Sequence, residues 1–211
     1  MRAALLNALW LAGSLLGAVV LGIGPSTVAA YTLARRFARG EGTRPVRCFA
    51  HAYRQEAVRG NTLVLPPLAV AAILWTGSRY LASSALPGAT VASLACLTAL
   101  LLVAVGALYV VPIAVHYEVP VHRTWTLATA FALTHLPGTI VLGVSLAAIG
   151  YASSVVPGLL PLLSVGAWIL LNMTLCVRFF AENDAALGPT PDERTHPLAL
   201  AAPRRTQPAA P

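Results

Sequence analysis

"GIGPSTVAAYTLARRFARGE", residues 22–41, decides how the rest of the chain is read. An apolar run meets Gly24-Pro25, restarts, and ends in Arg35, Arg36 and Arg39. Proline has no amide hydrogen and its ring crowds the preceding turn, so Gly24 and Pro25 are expected to kink or break the helix. Ser26 and Thr27 follow and are able to cap or re-bond the freed backbone groups. Two readings of the break stand side by side: a kink that shortens an overlong helix, or a polar backbone notch facing a cavity. In either, the piece from 26 to 39 leans along the inner membrane interface. Arg35, Arg36 and Arg39 then reach towards anionic headgroups.

The composition places that stretch in a membrane. Of 211 residues, 57% are hydrophobic and only 10% charged, where a soluble domain carries about 25% charged residues. Mean hydropathy is +0.74. Stretches of about 20 apolar residues, the length that crosses a bilayer, fall at 3–23, 61–82, 90–115, 138–155 and 158–180. Turn signals at Leu86-Pro87-Gly88 and Pro157-Gly158 separate neighbouring stretches. The fold expected is all-α: a polytopic bundle of about five spans. The first stretch begins near Arg2, and the small residues at 28–30 loosely resemble a signal-peptidase site. Its apolar run exceeds the ~7–15 residues of a signal core, so it is expected to be retained.

The net charge of +7 comes entirely from arginine, for there is no lysine. A basic balance would suit nucleic acid, but the positions of the charges argue topology instead. Arg35, Arg36, Arg39, Arg44, Arg47, Arg54 and Arg59 lie between the first and second stretches. Arg123 follows the third, and Arg178, Arg194, Arg204 and Arg205 close the chain. With five spans, only Arg2 and Arg79 belong to the other face. The positive-inside rule then puts the N-terminus outside and the C-terminus in the cytoplasm of a plasma-membrane protein. The bilayer is its first partner, and no nucleic acid is needed.

Residues 45–60, "PVRCFAHAYRQEAVRG", are too polar to span, yet Val46, Phe49, Tyr53 and Val58 recur near helical spacing. They read as an amphipathic helix in the interface plane. "VHRTWTLATAFALTHLPGT", 121–139, reads as a second. Side by side, Arg47 and Phe49 fall against Arg123 and Trp125, which suggests a weak internal repeat of interfacial helix and span. Arg35, Arg36, Arg39, Arg47, Arg54 and Arg59 are read as cytoplasmic basic anchors.

Chemistry-bearing groups are few. Gly13 and Gly17, with Ser14 and Ala18, give the first stretch a small-residue face for close helix packing. Asn7 and Asn172 are intramembrane polar groups, read first as hydrogen-bonding links between helices and second as substrate contacts. Pro66, Pro67, Pro112 and Pro161 predict kinks where neighbouring helices re-satisfy the backbone. His116, Glu118 and His122 are the one cluster resembling a metal site. Pro120 divides it, the spacing is not that of a metalloprotease helix, and an interfacial turn is the better reading. Cys48, Cys96 and Cys176 lack ligand spacing. No metal, cofactor or catalytic residue is expected. Residues 1–187 form the membrane domain, and 188–211, rich in proline, read as a disordered cytoplasmic tail.

The order of the pieces also resembles a known family. "LNALWLAGSLLG" leads to "GPSTVAAYTLARRFARGE", then to "RCFAHAYRQEAVRGN" and "YVVPIAVHYEVPVHRT". These motifs, over residues 4–183, are similar to the YesL family of bacterial integral membrane proteins, a domain of unknown function. The resemblance implies a bacterial plasma-membrane protein frequently encoded near sugar-uptake transporters and polysaccharide-degrading enzymes. The expected function is a non-enzymatic accessory or permease-like component of carbohydrate uptake, working beside other membrane transport subunits. The alternative is an assembly or scaffold module that docks a cytoplasmic partner through the arginine-rich face. An intramembrane enzyme using His116 and Glu118 ranks last.

Overall fold

The computed structural model describes residues 1–42, 44–117, 119–156, 158 and 163–187, of which 182–187 by backbone alone. The described residues form helices and no strand. In chain order these are α1 (Arg2–Leu16), α2 (Val20–Ala38), α3 (Pro45–Gln55), α4 (Ala57–Ala82), α5 (Ala89–His116), α6 (Val121–Thr134), α7 (Leu136–Val155) and α8 (Val165–Leu187). The chain divides into two compact units, Met1–Val177 and Arg178–Pro211. The first carries everything described below; the second opens with the remaining turns of α8.

Three helices are long and apolar enough to cross a bilayer: α4 with 26 residues, α5 with 28 and α7 with 20. Their outer apolar side chains, Ile73, Trp75, Leu94, Leu101 and Val144 among them, are exposed. Lipid is the solvent such faces need. α1 and the apolar part of α8 are shorter, so among the described residues three of the five expected spans have the length and apolarity to cross.

The first apolar stretch is where sequence and structure part. It is not one helix over 3–23, and the interruption does not fall at Gly24-Pro25. The helix ends at Leu16, eight residues before Gly24, and α2 runs through Pro25 as continuous helix. The turn is Gly17-Ala18-Val19, with Ala18 at φ 53° and Val19 at φ 64°. Left-handed backbone is costly for a β-branched residue, about 1–3 kcal/mol, so the packing on either side must hold it. It does so as a hairpin. Trp10 Nε1 donates to Thr27 Oγ1 at 3.0 Å, and the Val19 amide donates to the Ser14 carbonyl at 2.8 Å. At the open end, Arg2 Nη1 donates to the Phe37 carbonyl at 3.3 Å, with its guanidinium 5.3 Å from the Phe37 ring centroid. Gly17 and Gly22 let the two backbones touch, and a Cβ on either would overlap main-chain atoms of the other helix. Arg2 therefore sits beside the end of α2, not on the face opposite Arg35, Arg36 and Arg39.

α4 and α5 form a second antiparallel pair, tied near its closed end by Ser93 Oγ donating to the Ser78 carbonyl at 3.0 Å. α2 lies across the other end of that pair. Gly24 abuts Gly60 in the first turn of α4, while Arg35 donates to the Val115 carbonyl in the last turn of α5. The first interfacial helix is shorter than expected: α3 stops at Gln55, and residues 57–60 already belong to α4. Its apolar side, Phe49 and Ala52, is buried with α2 in the main core, alongside Leu6, Val28, Leu33 and Met173. The proposed repeat has a counterpart in shape. α3–α4 and α6–α7 are each a short helix and a long one joined through a single residue, Glu56 or His135.

Candidate functional site

Four prolines stand inside the described helices, Pro25, Pro66, Pro67 and Pro112, and each deprives the carbonyl four residues earlier of its intrahelical donor. For Pro25 that carbonyl belongs to Leu21, and Asn61 Nδ2 of α4 donates to it at 3.0 Å. For Pro112 it belongs to Leu108, and Asn172 Nδ2 of α8 donates to it at 3.0 Å. A third asparagine does the converse work. Asn7 Oδ1 accepts the Gly166 amide at 3.0 Å, one of the donors that the start of α8 cannot use internally. Asn7 and Asn172 are thus both fully buried and engaged with backbone. Asn61, the partner of the Gly24-Pro25 notch, went unnoticed in the sequence. The signal was available as an amide side chain one residue after a glycine at the start of a span. Neither Ser26 nor Thr27 re-bonds the notch: Thr27 Oγ1 donates to the Ile23 carbonyl at 2.7 Å, not to the freed Leu21 carbonyl.

Gly13 and Gly17 are used within the chain. Gly13 faces Ser26 and the Phe49 ring, and Gly17 faces Gly22 and the Tyr53 hydroxyl. Tyr53 Oη donates to the Gly13 carbonyl at 3.1 Å, which fastens α3 to the hairpin.

Above this polar scaffolding is an apolar cleft of about 290 Å³, where α1, α2, α4, α5, α6 and α8 converge. Trp10, Tyr31, Trp125 and Trp168 line it, with Thr27 and Pro67. The Trp10 indole N–H is already committed to Thr27, so this ring offers the cleft apolar aromatic surface and no donor. Tyr109 of α5 ties that helix to α6 and α7. Its hydroxyl meets Thr139 Oγ1 at 3.2 Å, and the Phe131 ring packs edge-on at 5.3 Å.

The basic anchors divide into two groups. Arg35 donates to the Val115 carbonyl. Arg59 donates to the carbonyls of Ala114 at 3.3 Å and Val119 at 3.2 Å, and pairs with Glu56 at 3.4 Å. Both therefore cap the negative end of α5, whose last carbonyls have no intrahelical donor. Arg36 is exposed and stands 4.0 Å from Glu41. Arg39, Arg47 and Arg54 are exposed. His116 ends α5 and His122 lies in the first turn of α6, whereas Glu118 falls outside the described residues. Among the described residues no three His, Cys, Asp or Glu side chains gather as a metal site. The acids Asp192 and Glu193, Arg194, Arg204 and Arg205, Pro161 and the tail also lie outside the described residues.

The model of a family described as "Protein of unknown function, DUF624" matches residues 3–77. The uncharacterized protein YesV of Bacillus subtilis (strain 168) is 28% identical over 185 residues, 87% of this chain and 89% of its own. The uncharacterized protein YesL of the same organism is 30% identical over 143 residues, 67% of each chain. The chain belongs to the DUF624 family. No solved structure matches it. The DUF624 match covers the α1–α2 hairpin, α3 and most of α4. It therefore takes in Gly24, Pro25, Gly60 and Asn61, the contact on which α2 crosses α4. YesV and YesL are both described as uncharacterized proteins.

Proposed function

We propose that this DUF624 protein is a non-enzymatic, multi-pass component of the bacterial plasma membrane, permease-like or accessory, that serves carbohydrate uptake. The observation that carries the reading is the tryptophan-lined cleft of about 290 Å³ between the helices, near the lower end of the ~300–1,000 Å³ typical of ligand sites. An indole face bears partial negative charge. It attracts the weakly positive C–H hydrogens on one face of a pyranose ring, so aromatic walls suit a sugar better than their hydropathy suggests. The resemblance of the chain to a family encoded near sugar-uptake genes supports the same substrate class. In this reading the arginine-rich side is cytoplasmic. Because α1 and α2 form a hairpin, the N-terminus lies on that side too.

The test is uptake of a labelled oligosaccharide by a deletion strain, with and without the gene restored. Uptake that falls on deletion and returns on complementation supports the reading. Uptake unchanged by deletion removes it.

A further inference from the structure

The arginines that do not cap α5 have a place of their own. Between α2 and α3 runs an open groove of about 510 Å³. Arg36 and Thr32 of α2 form one wall; Arg44, Arg47, His51 and Gln55 of α3 form the other. On α3 these four recur at spacings of three and four residues, so they share one side of the helix. Three guanidinium groups line one concavity, and among the described residues the one acid paired with any of them is Glu41, 4.0 Å from Arg36. Arg44 and Arg47 make no hydrogen bond or ion pair among the described residues.

Two further features point to the ligand. The groove reaches the N-terminus of α3, which opens with Pro45, has no acidic residue in its first turn and no side chain capping it. Its free amides and the positive end of its dipole add to the arginine charge. And α3 carries apolar side chains beside the basic ones: Val46 is 62% exposed, while Phe49 is buried against the core. Phe49 packs α3 onto the core, and the exposed Val46 next to Arg47 suits a membrane surface, where the most abundant phosphate is that of a phospholipid headgroup.

We propose that the α2–α3 groove binds a phosphate group, and that its source is an anionic lipid of the leaflet in which α3 lies. Arg36, Arg44 and Arg47 are the phosphate ligands, with bidentate guanidinium forks matching two oxygens each. His51 contributes a single hydrogen bond, Thr32 only lines the wall because its hydroxyl already donates to the Val28 carbonyl at 2.9 Å, and Val46 rests in the acyl region beside the headgroup. The site is independent of the tryptophan cleft and of whatever passes through it.

The full-length protein, purified in detergent, is studied by native mass spectrometry with phosphatidylglycerol, with phosphatidylcholine and with soluble glycerol 3-phosphate. One phosphatidylglycerol should bind saturably and in preference to phosphatidylcholine. The double variant Arg44→Gln/Arg47→Gln should weaken it by about thirtyfold, from about 1 kcal/mol per arginine at a membrane surface. Arg54→Gln, on the same helix outside the groove, should leave the single-lipid stoichiometry and affinity within about twofold, since one rim charge contributes little. Circular dichroism and gel filtration establish that each variant is folded. Equal binding of phosphatidylcholine, or phosphatidylglycerol binding untouched by the double variant, would overturn the site. Glycerol 3-phosphate binding as tightly as the lipid would overturn the lipid as source and leave a soluble phosphate in its place. Co-purification of a cytoplasmic protein through Arg44 and Arg47, with no lipid bound, would replace the proposal by a protein-docking face.

Discussion

Asn61 reaches from α4 to α2 and donates through Nδ2 to the Leu21 carbonyl at 3.0 Å. Leu21 stands four residues before Pro25, so this is the acceptor that the proline leaves without a helical donor. A break that looked like a site for a ligand is filled by the protein itself. Asn172 repeats the device on the Leu108 carbonyl ahead of Pro112.

That relationship makes a double-mutant cycle the natural check. Asn61→Leu should destabilise by about 0.5–1.5 kcal/mol, the net worth of the hydrogen bond it removes. In a Pro25→Ala background the amide at 25 can serve Leu21, and the same substitution should cost less than half as much. Unfolding in mixed detergent micelles measures both. Equal penalties in the two backgrounds would mean that Asn61 serves some other end.

The hairpin predicts a sharp contrast between glycines. Gly17→Leu forces a side chain into Gly22 of the facing helix and should cost about 1–3 kcal/mol, as overpacking does. Gly143→Leu on α7 meets nothing within 4 Å and should be neutral or stabilising by about 1 kcal/mol through helix propensity. Melting temperatures in detergent decide the matter.

Arg59 and Arg54 have the same charge and different work. Arg59→Gln removes one bond to the end of α5, at Ala114, and one to Val119 just beyond it, and should lower stability by about 1 kcal/mol. Arg54→Gln, exposed on α3, should change it by less than about 0.5 kcal/mol. A loss of equal size in the two variants would show that general charge, rather than capping, matters.

The cleft gives a functional variant that spares the fold. Ala107 lines it and is exposed, so Ala107→Trp should fill the space without overpacking the core. Uptake by the complemented strain should fall to the level of the deletion, while expression and melting temperature hold. Full uptake through a blocked cleft would move the pathway elsewhere.

Much of this fold was written plainly in the sequence. α5 and α7 begin and end within two residues of the apolar runs at 90–115 and 138–155, because uniform apolarity with Pro-Gly punctuation leaves one reading. The hairpin was not legible. Gly17-Ala18-Val19 is apolar throughout and contains no proline, and Val19 adopts φ 64° against its own preference. Tertiary contacts, Trp10 with Thr27 and Arg2 with Phe37, hold that turn. Local sequence carries no trace of them. Gly24-Pro25, the loud signal, proved to be a packing contact, with Gly60 against it and Asn61 repairing it. Arg35 and Arg59 were read as membrane anchors for the same reason. Their acceptors on α5 lie about 55–80 positions away along the chain, beyond any periodicity.

The hairpin sets which side of the membrane the N-terminus occupies, and that is open to direct measurement. Single cysteines are placed at Ala4 and at Gly42, both exposed, in a chain whose Cys48, Cys96 and Cys176 are replaced by alanine. A membrane-impermeant maleimide is then applied to right-side-out and to inside-out vesicles. A hairpin puts both positions on one side, so both should be protected in the first preparation and both labelled in the second. Labelling of Ala4 in right-side-out vesicles with Gly42 protected would mean that the first apolar stretch crosses the bilayer, and the hairpin would be wrong.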